Sequence, residues 1–370
     1  MSACPLCGGD AETLAELPAS ITSESKALDG ESRLRLCGTC AHVFTEADVD
    51  WHAHYTRDYD ATLTDGGLDE LVVTPEGKTV FRTDYDYAVF RRMAGDALHG
   101  AARVLEFGCG RGRILNRLVR DGFKRTWACD LGERYAAFAE SLLGKGRMSV
   151  GSIPEGPFDV ICTFFVLEHD TNPLQSLKAL RQRLAPGGTV FIMLPAWKTN
   201  LGDLACADHA HHFSIETLDA VLGAAGLERV SVDVATAGTL AVTARAGEVI
   251  PLMPRPQLVE ANREAAQPLL ETLERLQHLP TRVDPARRVF LYGAGFYAAL
   301  ANAFVPKVAG IYDANPRKQG LERLGHTVAA PQDISKHKHA HDCLVVCINA
   351  KSAGTVAAQY REAFGQVLTL

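Results

Sequence analysis

The segment from Val104 to Gly112 constrains the fold more than any other part of the sequence. A short apolar stretch leads into Glu106, and the glycines that follow it alternate with other residues: Gly108, Gly110 and Gly112. Glycine permits a tight turn after a strand and lets a ligand approach the backbone before a helix begins. About 20 residues further on, Asp130 ends the next apolar stretch, where an acid accepts hydrogen bonds from ribose hydroxyls. The segment therefore predicts an α/β domain that holds a nucleoside-containing ligand at this turn.

The same alternation extends through residues 101–246, where short apolar stretches are separated by amphipathic ones. It predicts a doubly wound α/β fold around a parallel sheet. The last two apolar stretches are too close in sequence to enclose a helix, so they predict a closing hairpin. The predicted strands are Arg103–Phe107, Thr126–Cys129, Phe158–Thr163, Thr189–Leu194, Glu228–Val234 and Thr239–Arg245.

Two Cys-x-x-Cys pairs near the start of the chain predict a metal site. The pairs are Cys4 with Cys7 and Cys37 with Cys40, each next to a glycine. Four thiolates complete a tetrahedral site, which zinc prefers, and they leave no position open for catalysis. The alternative is redox-active or unpaired thiols, but the sequence around the pairs lacks a thioredoxin-like βαβ pattern. We therefore expect a structural zinc ion.

Composition argues against several classes of partner. Among 370 residues, 38 are basic and 44 are acidic, so the formal net charge is −6. This balance provides no general attraction to nucleic acid or to an anionic membrane. No apolar run approaches the roughly 18 residues of a spanning helix, and the N-terminus lacks a secretory pattern. We expect a cytoplasmic protein with a small-molecule partner, and the sequence leaves its oligomeric state open.

The chain divides into four predicted parts. A zinc-binding module covers residues 1–50, and a tyrosine-rich segment followed by the α/β core covers residues 51–250. Prolines interrupt the chain next, and leucines spaced by three and four residues predict a linking helix within residues 251–280. A second glycine turn after a strand, from Gly293 to Gly295, predicts a Rossmann-like domain over residues 281–370. With Asp313 about 20 residues on, this turn also fits a dinucleotide site.

The first glycine segment resembles motif I of class I S-adenosylmethionine-dependent methyltransferases. Its spacing is Glu-x-Gly-x-Gly-x-Gly, not the Gly-x-Gly-x-x-Gly of dinucleotide-binding proteins. The resemblance implies that Glu106 lies near the methionine part of S-adenosylmethionine and that Asp130 binds the ribose. Where the family often has an Asp beside adenine, this chain has Gly151-Ser152-Ile153, so we expect either the backbone or the Ser152 hydroxyl to contact adenine. The pair Glu168-His169 resembles the family's Glu-His, which lies near cofactor and acceptor.

The order of parts along the whole chain is similar to that of sugar C-methyltransferases, which alkylate a carbon of a thymidine-diphosphate-linked keto sugar. These enzymes carry a Glu-His-Phe-Ser-Tyr-Phe-Ser-like stretch whose histidine is implicated as the catalytic base. Here Asp208 matches the Glu, His209 the His and His212 the Tyr, so two of the three positions depart from the pattern. His169 is the rival for the base. Independently of the family, the histidine-rich stretch also fits a helix-capping segment or a second metal site.

The resemblance further implies that tyrosines preceding the core lie near the cofactor and the acceptor. We expect this of Tyr85 and Tyr87, in a stretch that also contains Tyr55 and Tyr59. The alternative is aromatic packing between the zinc module and the core.

The function implied is methylation of a carbon of a nucleotide-activated keto sugar through an enolate, with the C-terminal domain covering the acceptor. The first alternative is an O- or N-methyltransferase acting on another natural-product intermediate. The second is a dinucleotide-binding oxidoreductase or sensor that works through the turn at Gly293.

Overall fold

A computed structural model describes residues 2–370 of the chain except 18, 29, 60–70, 75–76, 235–237, 306, 337–338 and 349. In chain order, its strands are β1 Ser2–Ala3, β2 Asp10–Leu17, β3 Ser32–Cys37, β4 Val43–Ala47, β5 Leu71–Val73, β6 Thr79–Phe81, β7 Val104–Phe107, β8 Thr126–Asp130, β9 Met148–Val150, β10 Phe158–Phe164, β11 Leu184–Pro195, β12 His211–His212, β13 Leu227–Asp233, β14 Thr239–Ala246, β15 Val289–Tyr292, β16 Val308–Tyr312, β17 Glu322–Arg323, β18 His326–Ala329, β19 His339–Val346 and β20 Phe364–Thr369.

The helices alternate with strands in the central and C-terminal parts. They are α1 Trp51–Ala53, α2 Arg82–Ala94, α3 Arg113–Arg120, α4 Ala136–Leu143, α5 Pro173–Gln182, α6 Ile215–Ala224, α7 Pro256–Gln277, α8 Leu279–Arg282, α9 Phe296–Phe304 and α10 Ala350–Tyr360. Shorter turns of other helical types cover His54–Asp58, Gly95–Ala97, Glu133–Tyr135, Leu201–Ala205 and Pro331–Lys336. Among the described helices, none is both long enough and apolar enough to cross a bilayer.

The central sheet confirms the predicted fold class. Within the described ranges its strand order is β13-β14-β11-β10-β7-β8-β9. Strands β7 to β11 pair in parallel, and β14 is antiparallel to both β11 and β13. This is the order of the class I methyltransferase fold, including the predicted closing hairpin. Because the chain leaves β7 and β10 in opposite directions, a crevice opens at their carboxyl ends.

The predicted strands of this sheet are present, with shifted ends. The largest difference is β11, which begins at Leu184 instead of Thr189 because it takes in the Pro-Gly-Gly turn. Its residues from Thr189 to Pro195 are buried and paired with β14 on one side. A strand covered on both faces is apolar throughout, which is why the prediction recognised its second half.

The N-terminal part is an antiparallel sheet, for which the sequence showed little periodicity. Strands β1 to β4 pair in order, and the short strand β12 from the core joins the edge at β4. His211 lies opposite Phe44, and His212 lies opposite Val43. The histidine-rich segment is therefore part of the N-terminal sheet, although it lies more than 160 residues further along the chain.

The C-terminal part forms the second α/β unit that the sequence predicts. Within the described residues its sheet has the order β17-β18-β16-β15-β19-β20, parallel except at β17. The linking helix is α7, which starts at Pro256, two residues before the predicted leucine-rich run at Leu258. Its buried leucines share one core with Leu36 of the N-terminal sheet and Leu291 of the C-terminal sheet. Helix α7 thus joins the two outer parts.

We predict that truncating Leu273 on this helix destabilises the protein. Its side chain is 3% exposed within the shared core, so Leu273→Ala should lower the free energy of unfolding by about 2–5 kcal/mol. Chemical denaturation measures the change. Glu274→Ala, at the exposed neighbouring position, is the matched control and should change stability little. Equal effects of the two substitutions would contradict the packing role of α7.

Candidate functional site

A cavity of about 1500 Å³ lies at the carboxyl ends of the central parallel strands. Residues from all parts of the chain line it, including Ser23 near the N-terminus, Gly110 after β7 and Tyr297 in α9. A single small-molecule site usually occupies about 300–1,000 Å³. The cavity therefore has room for two ligands side by side, such as a cofactor and an acceptor.

One end of the cavity is formed by the glycine turn after β7. Gly108 and Gly110 both have positive φ, +74° and +47°, which glycine adopts without strain. A Cβ at Gly108 would lie 2.3 Å from Val166, whereas a Cβ at Gly110 would meet no atom within 4 Å. The space beside Gly110 is open cavity. Gly112 has a different place, because it precedes α3 and its added Cβ would meet Phe138.

Two acids border this turn, as the sequence predicts. Asp130 accepts hydrogen bonds from the amides of Gly110 at 2.8 Å and Gly132 at 2.9 Å, so it holds the turn in shape. Glu106 is 3% exposed, and its Oε2 has no hydrogen-bond partner among the described residues. Burial, together with the charge of Asp130, raises the pKa of Glu106. Both acids and Ser152 line the cavity, so this end can accept hydrogen bonds from a polar ligand.

The structure corrects the expectation for two tyrosines. Among the described residues, the lining of the cavity includes Tyr55 and Tyr59 but neither Tyr85 nor Tyr87. Tyr85 and Tyr87 lie on α2 and pack against the core of the central sheet, and the hydroxyl of Tyr87 donates to Asp121 at 2.8 Å. Helix α2 does reach the cavity with Arg82, Thr83 and Asp86, but Tyr85 and Tyr87 lie on the faces of the helix that pack against the sheet.

The other end of the cavity is built around a buried carboxylate. Asp203 is 4% exposed and accepts from His209 Nδ1 at 2.5 Å and from His212 Nδ1 at 2.9 Å. Burial opposes the charge of Asp203, but the two imidazoles outweigh it and lower its pKa. Burial likewise lowers the pKa of His209, but Asp203 and other nearby carboxylates outweigh it and raise the pKa to about 9. His209 lines the cavity, whereas His212 lies behind it, with Nε2 2.8 Å from the hydroxyl of Thr45.

A second imidazole, that of His169, faces the same space. Its Nδ1 donates to the carbonyl oxygen of Asp208 at 2.9 Å, and the hydroxyl of Tyr55 donates to that oxygen too, at 2.5 Å. Burial and the charge of His209 lower the pKa of His169 to about 4. Asp208 itself is not among the residues that line the cavity; its carboxylate accepts from the amide of Ser23 at 2.6 Å and from its hydroxyl at 2.7 Å, and its Oδ2 lies 3.8 Å from His169 Nδ1.

Glu168 completes this end of the cavity. Its side chain is 1% exposed and lines the cavity, and neither carboxylate oxygen has a hydrogen-bond partner from another described residue. Burial raises the pKa of Glu168 to about 8. Of this cluster, the sequence predicted His169, His209, His212 and Asp208 as site residues. It missed Asp203, whose signal was an acid shortly before a run of histidines, and it gave no role to Glu168 beyond the family motif.

The four cysteines predicted to bind metal lie together. Sγ of Cys4 is 3.7 Å from that of Cys40, and Sγ of Cys7 is 3.5 Å from that of Cys37. Tetrahedral zinc with bonds of about 2.3 Å separates its sulfur ligands by nearly this distance. Backbone amides also point at the sulfurs, including that of Thr39 at 3.3 Å from Cys37 Sγ. The donor set and its geometry therefore fit a zinc ion.

The glycine turn of the C-terminal part differs from the first in its surroundings. A Cβ at Gly293 would lie 2.6 Å from the carbonyl oxygen of Cys347, so the glycine allows two strands to pack. Asp313 accepts from the amide of Ala294 at 2.7 Å, as Asp130 does in the first turn. A cleft of about 190 Å³ adjoins Ala294 and Gly295, whereas the cavity of about 1500 Å³ is lined by Gly108 and Gly110 themselves and by Phe296 and Tyr297 after the second turn. The geometry favours a packing role over a dinucleotide site.

The central part of the chain is similar in sequence to known proteins. Residues 81–232 match the family model described as a methyltransferase domain. This range runs from the last residue of β6 through β12 and most of β13, and it includes residues at both ends of the cavity. The match to this family lies in the central part of the chain, while the N-terminal sheet and the C-terminal unit lie outside the matched residues.

Individual relatives resemble only this part of the chain. A ubiquinone biosynthesis O-methyltransferase of Caulobacter sp. (strain K31) is 32% identical over 100 residues, which is 24% of this chain and 39% of that protein. A tRNA U34 carboxymethyltransferase of Idiomarina loihiensis is 27% identical over 128 residues, 31% of this chain and 38% of that protein. The chain spans about two fifths of the length of these curated relatives.

Solved structures with similar folds include an S-adenosylmethionine-dependent methyltransferase from Mesorhizobium loti. It is 16% identical with a TM-score of 0.37, covering 46% of this chain and 99% of that one. Another is the Burkholderia thailandensis 1,6-didemethyltoxoflavin-N1-methyltransferase, solved with 1,6-didemethyltoxoflavin and S-adenosylhomocysteine. It is 21% identical with a TM-score of 0.36, covering 45% of this chain and 78% of that one.

We predict that the contact between Thr45 and His212 stabilises the histidine end of the cavity. Thr45→Val keeps the shape of the side chain but removes the hydroxyl, leaving His212 Nε2 buried without its partner. Chemical denaturation should show a loss of about 1–3 kcal/mol in the free energy of unfolding. Thr45→Ser restores a hydroxyl and should recover most of it. If the valine variant is as stable as the wild type, the hydrogen bond has no such role.

Proposed function

We propose that this protein transfers a methyl group from S-adenosylmethionine to a small-molecule acceptor. The observation that carries the proposal is the pairing of two features across one cavity. At one end, an open glycine turn lies beside the unpartnered carboxylate oxygen of Glu106; at the other, His169 and His209 face the same space. Methyl transfer needs both a donor site and an acceptor site in line.

The donor would lie against the glycine turn. The amine of its methionine part would satisfy the buried oxygen of Glu106, and its ribose hydroxyls would meet Asp130. The backbone at Gly110 has no side chain to exclude it, and Ser152 would lie near the adenine. When bound, S-adenosylmethionine supplies an electrophilic methyl group on a sulfonium. The protein's own residues hold it and leave the methyl side open toward the histidine end.

For the acceptor, we propose a nucleotide-activated keto sugar that is methylated at carbon. Removing a proton α to a ketone requires a positioned base, and an imidazole oriented by a carboxylate is such a group. His209 has this arrangement, because Asp203 holds its Nδ1. With its pKa raised to about 9, His209 would act as the base in its neutral form, which becomes the major form above that pH. Phe296, Tyr297 and Ile348 extend the cavity into the C-terminal unit, where the nucleotide would lie. The curated relatives named O-methyltransferases support transfer to oxygen as the second candidate.

We also propose that the four thiolates hold structural zinc. All four positions of a tetrahedral ion would be filled by the protein, so the ion would stabilise the N-terminal sheet and take no part in the reaction. The sheet in turn carries β12, so the proposed ion would support the histidine end indirectly.

We predict that Gly110→Val abolishes binding of S-adenosylhomocysteine, because a branched side chain would fill the donor space and oppose the positive φ. Gly122→Val is the matched control: Gly122 also has positive φ, +87°, with no atom near its added Cβ, but it lies outside the cavity lining. Asp130→Ala should weaken binding by about 1–3 kcal/mol. Isothermal titration calorimetry measures all three. If the Gly110 and Asp130 variants bind S-adenosylhomocysteine as tightly as the wild type, the methyl donor does not bind at this glycine turn.

Metal analysis should find about one zinc ion per chain in the purified protein. Cys37→Ser and Cys40→Ser should each lose the ion, and the N-terminal sheet should lose stability with it, since metal binding is coupled to folding. Cys162→Ala, which changes a buried cysteine of β10, is the control and should keep the ion. A folded protein purified without metal would refute the zinc proposal.

Carbon chemistry can be detected without methyl transfer. With S-adenosylhomocysteine bound and a keto sugar nucleotide in deuterated water, the wild type should exchange the α-proton of the acceptor. His209→Ala should lose exchange and turnover by roughly 10²–10⁴-fold while still binding S-adenosylhomocysteine. If His209→Ala exchanges normally and His169→Ala does not, the role belongs to His169. A wild-type enzyme that methylates only oxygen or nitrogen would exclude the enolate route.

A further inference from the structure

We propose that Glu168, His169 and His209 form a second metal site, which binds a divalent transition-metal ion at the acceptor end of the cavity. One ligand atom from each of the three lies within 4.8 Å of the others. The rings of His169 and His209 have centroids 4.7 Å apart and are nearly perpendicular. The three residues come from the loops after β10 and β11, whose carboxyl ends meet at this point of the sheet.

Both imidazoles are already oriented for an ion. The Nδ1 of His169 is bound to the carbonyl oxygen of Asp208, and the Nδ1 of His209 is bound to the carboxylate of Asp203. In metal sites, a ligating histidine usually donates its second ring nitrogen to a carbonyl or a carboxylate, which fixes the ring and its tautomer. Because these contacts use Nδ1 of each ring, we assign Nε2 of each ring as the atom that would bind the ion. The arrangement around the two histidines is the one that an ion requires.

Glu168 gives the second, independent indication. Its carboxylate is buried and lines the cavity, yet neither oxygen receives a hydrogen bond from another described residue. A buried carboxylate without a partner is costly, so such groups are paired or coordinate a metal. An ion between Glu168 and the two Nε2 atoms would satisfy both oxygens. The other candidate is a donor group of the acceptor itself, and the experiment below separates the two.

Two histidines and one carboxylate suit zinc, iron, cobalt or manganese, and they leave coordination positions open. This set differs from the four thiolates, which fill every position of their ion. The catalytic consequence rests on the proposed function: an open position next to the acceptor would let its carbonyl oxygen bind the ion, whose charge would polarise that carbonyl. An ion on His209 excludes a proton from the same nitrogen. The role of base proposed above for His209 would therefore belong to protein that does not hold this ion.

The test uses full-length protein with its thiolate site filled with zinc, titrated with Co²⁺. We expect one further equivalent to bind, with visible d–d bands and no thiolate-to-metal charge transfer, since the ligands are nitrogen and oxygen. Glu168→Gln and His169→Gln should each weaken binding at least tenfold. Asp203→Asn, which alters the carboxylate shared by His209 and His212, should weaken it by about 10–100-fold. Thermal melting curves identify any variant that fails to fold. If either Glu168→Gln or His169→Gln does not fold, the other of the two provides the test.

Asp170→Asn is the matched control. It removes a carboxylate two residues from Glu168 that also lines the cavity but lies outside the three-ligand group, and it should leave Co²⁺ affinity unchanged. If Asp170→Asn loses as much affinity for Co²⁺ as Glu168→Gln, the ion is held by the negative charge of the cavity in general, and the proposed coordination by Glu168 is wrong. The proposal would also be overturned if Co²⁺ gave no d–d bands in protein whose thiolate site holds zinc. Wild-type affinity for Co²⁺ in Glu168→Gln would overturn it as well.

Binding of S-adenosylhomocysteine, measured on the same samples, keeps the two proposals apart. If it binds and Co²⁺ does not, the metal site fails and the methyltransferase proposal stands. If Co²⁺ binds and S-adenosylhomocysteine does not, the metal-site proposal stands and the proposed site for the methyl donor fails. Binding of an amine-bearing acceptor that is lost in Glu168→Gln, in protein that takes up no Co²⁺, would assign Glu168 to the acceptor instead.

Discussion

The burial of carboxylates at one end of the cavity is the constraint on which the rest of the site depends. Asp203 is almost fully buried, and a charge in such a place persists only if it is paired and hydrogen-bonded. His209 and His212 meet this requirement by binding one oxygen each. The pairing fixes both rings, and it turns one toward the cavity and the other toward the N-terminal sheet. One acid thus orients the imidazole that faces the acceptor space and connects it to the sheet behind.

The N-terminal sheet is needed because the histidine segment has little regular structure of its own. Residues 211–212 form a strand only by pairing with β4, and Thr45 of that strand binds the second imidazole. Ser23 holds Asp208 from the same side with its amide and its hydroxyl. The N-terminal residues therefore form one wall of the cavity. Unfolding around the four cysteines would therefore disturb the histidines through these contacts, although the cysteines are not among the residues that line the cavity.

The sequence predicted what depends on local pattern. The strand-turn-helix at Val104–Gly112, Asp130 and the paired cysteines need only their near neighbours in the chain to be recognised. Asp203 and Thr45 could not be predicted in this way, because their roles depend on His212 and on folding that brings distant segments together. The error at Tyr85 and Tyr87 has the same origin. Which face of α2 borders the cavity depends on how the helix packs against the sheet, and the sequence does not display that packing.

The two glycine turns of this chain show why spacing alone does not identify a ligand site. Both follow a parallel strand, and in both an acid about 20 residues later accepts a hydrogen bond from a backbone amide of the turn. They differ in what surrounds the glycine. At Gly110 the place of a side chain is open space on a large cavity, whereas at Gly293 the backbone of Cys347 fills it. In the first turn glycine leaves room for a ligand, and in the second it leaves room for a strand. The same local sequence signal thus borders open space in one half of the chain and closely packed backbone in the other, and the neighbouring atoms decide which.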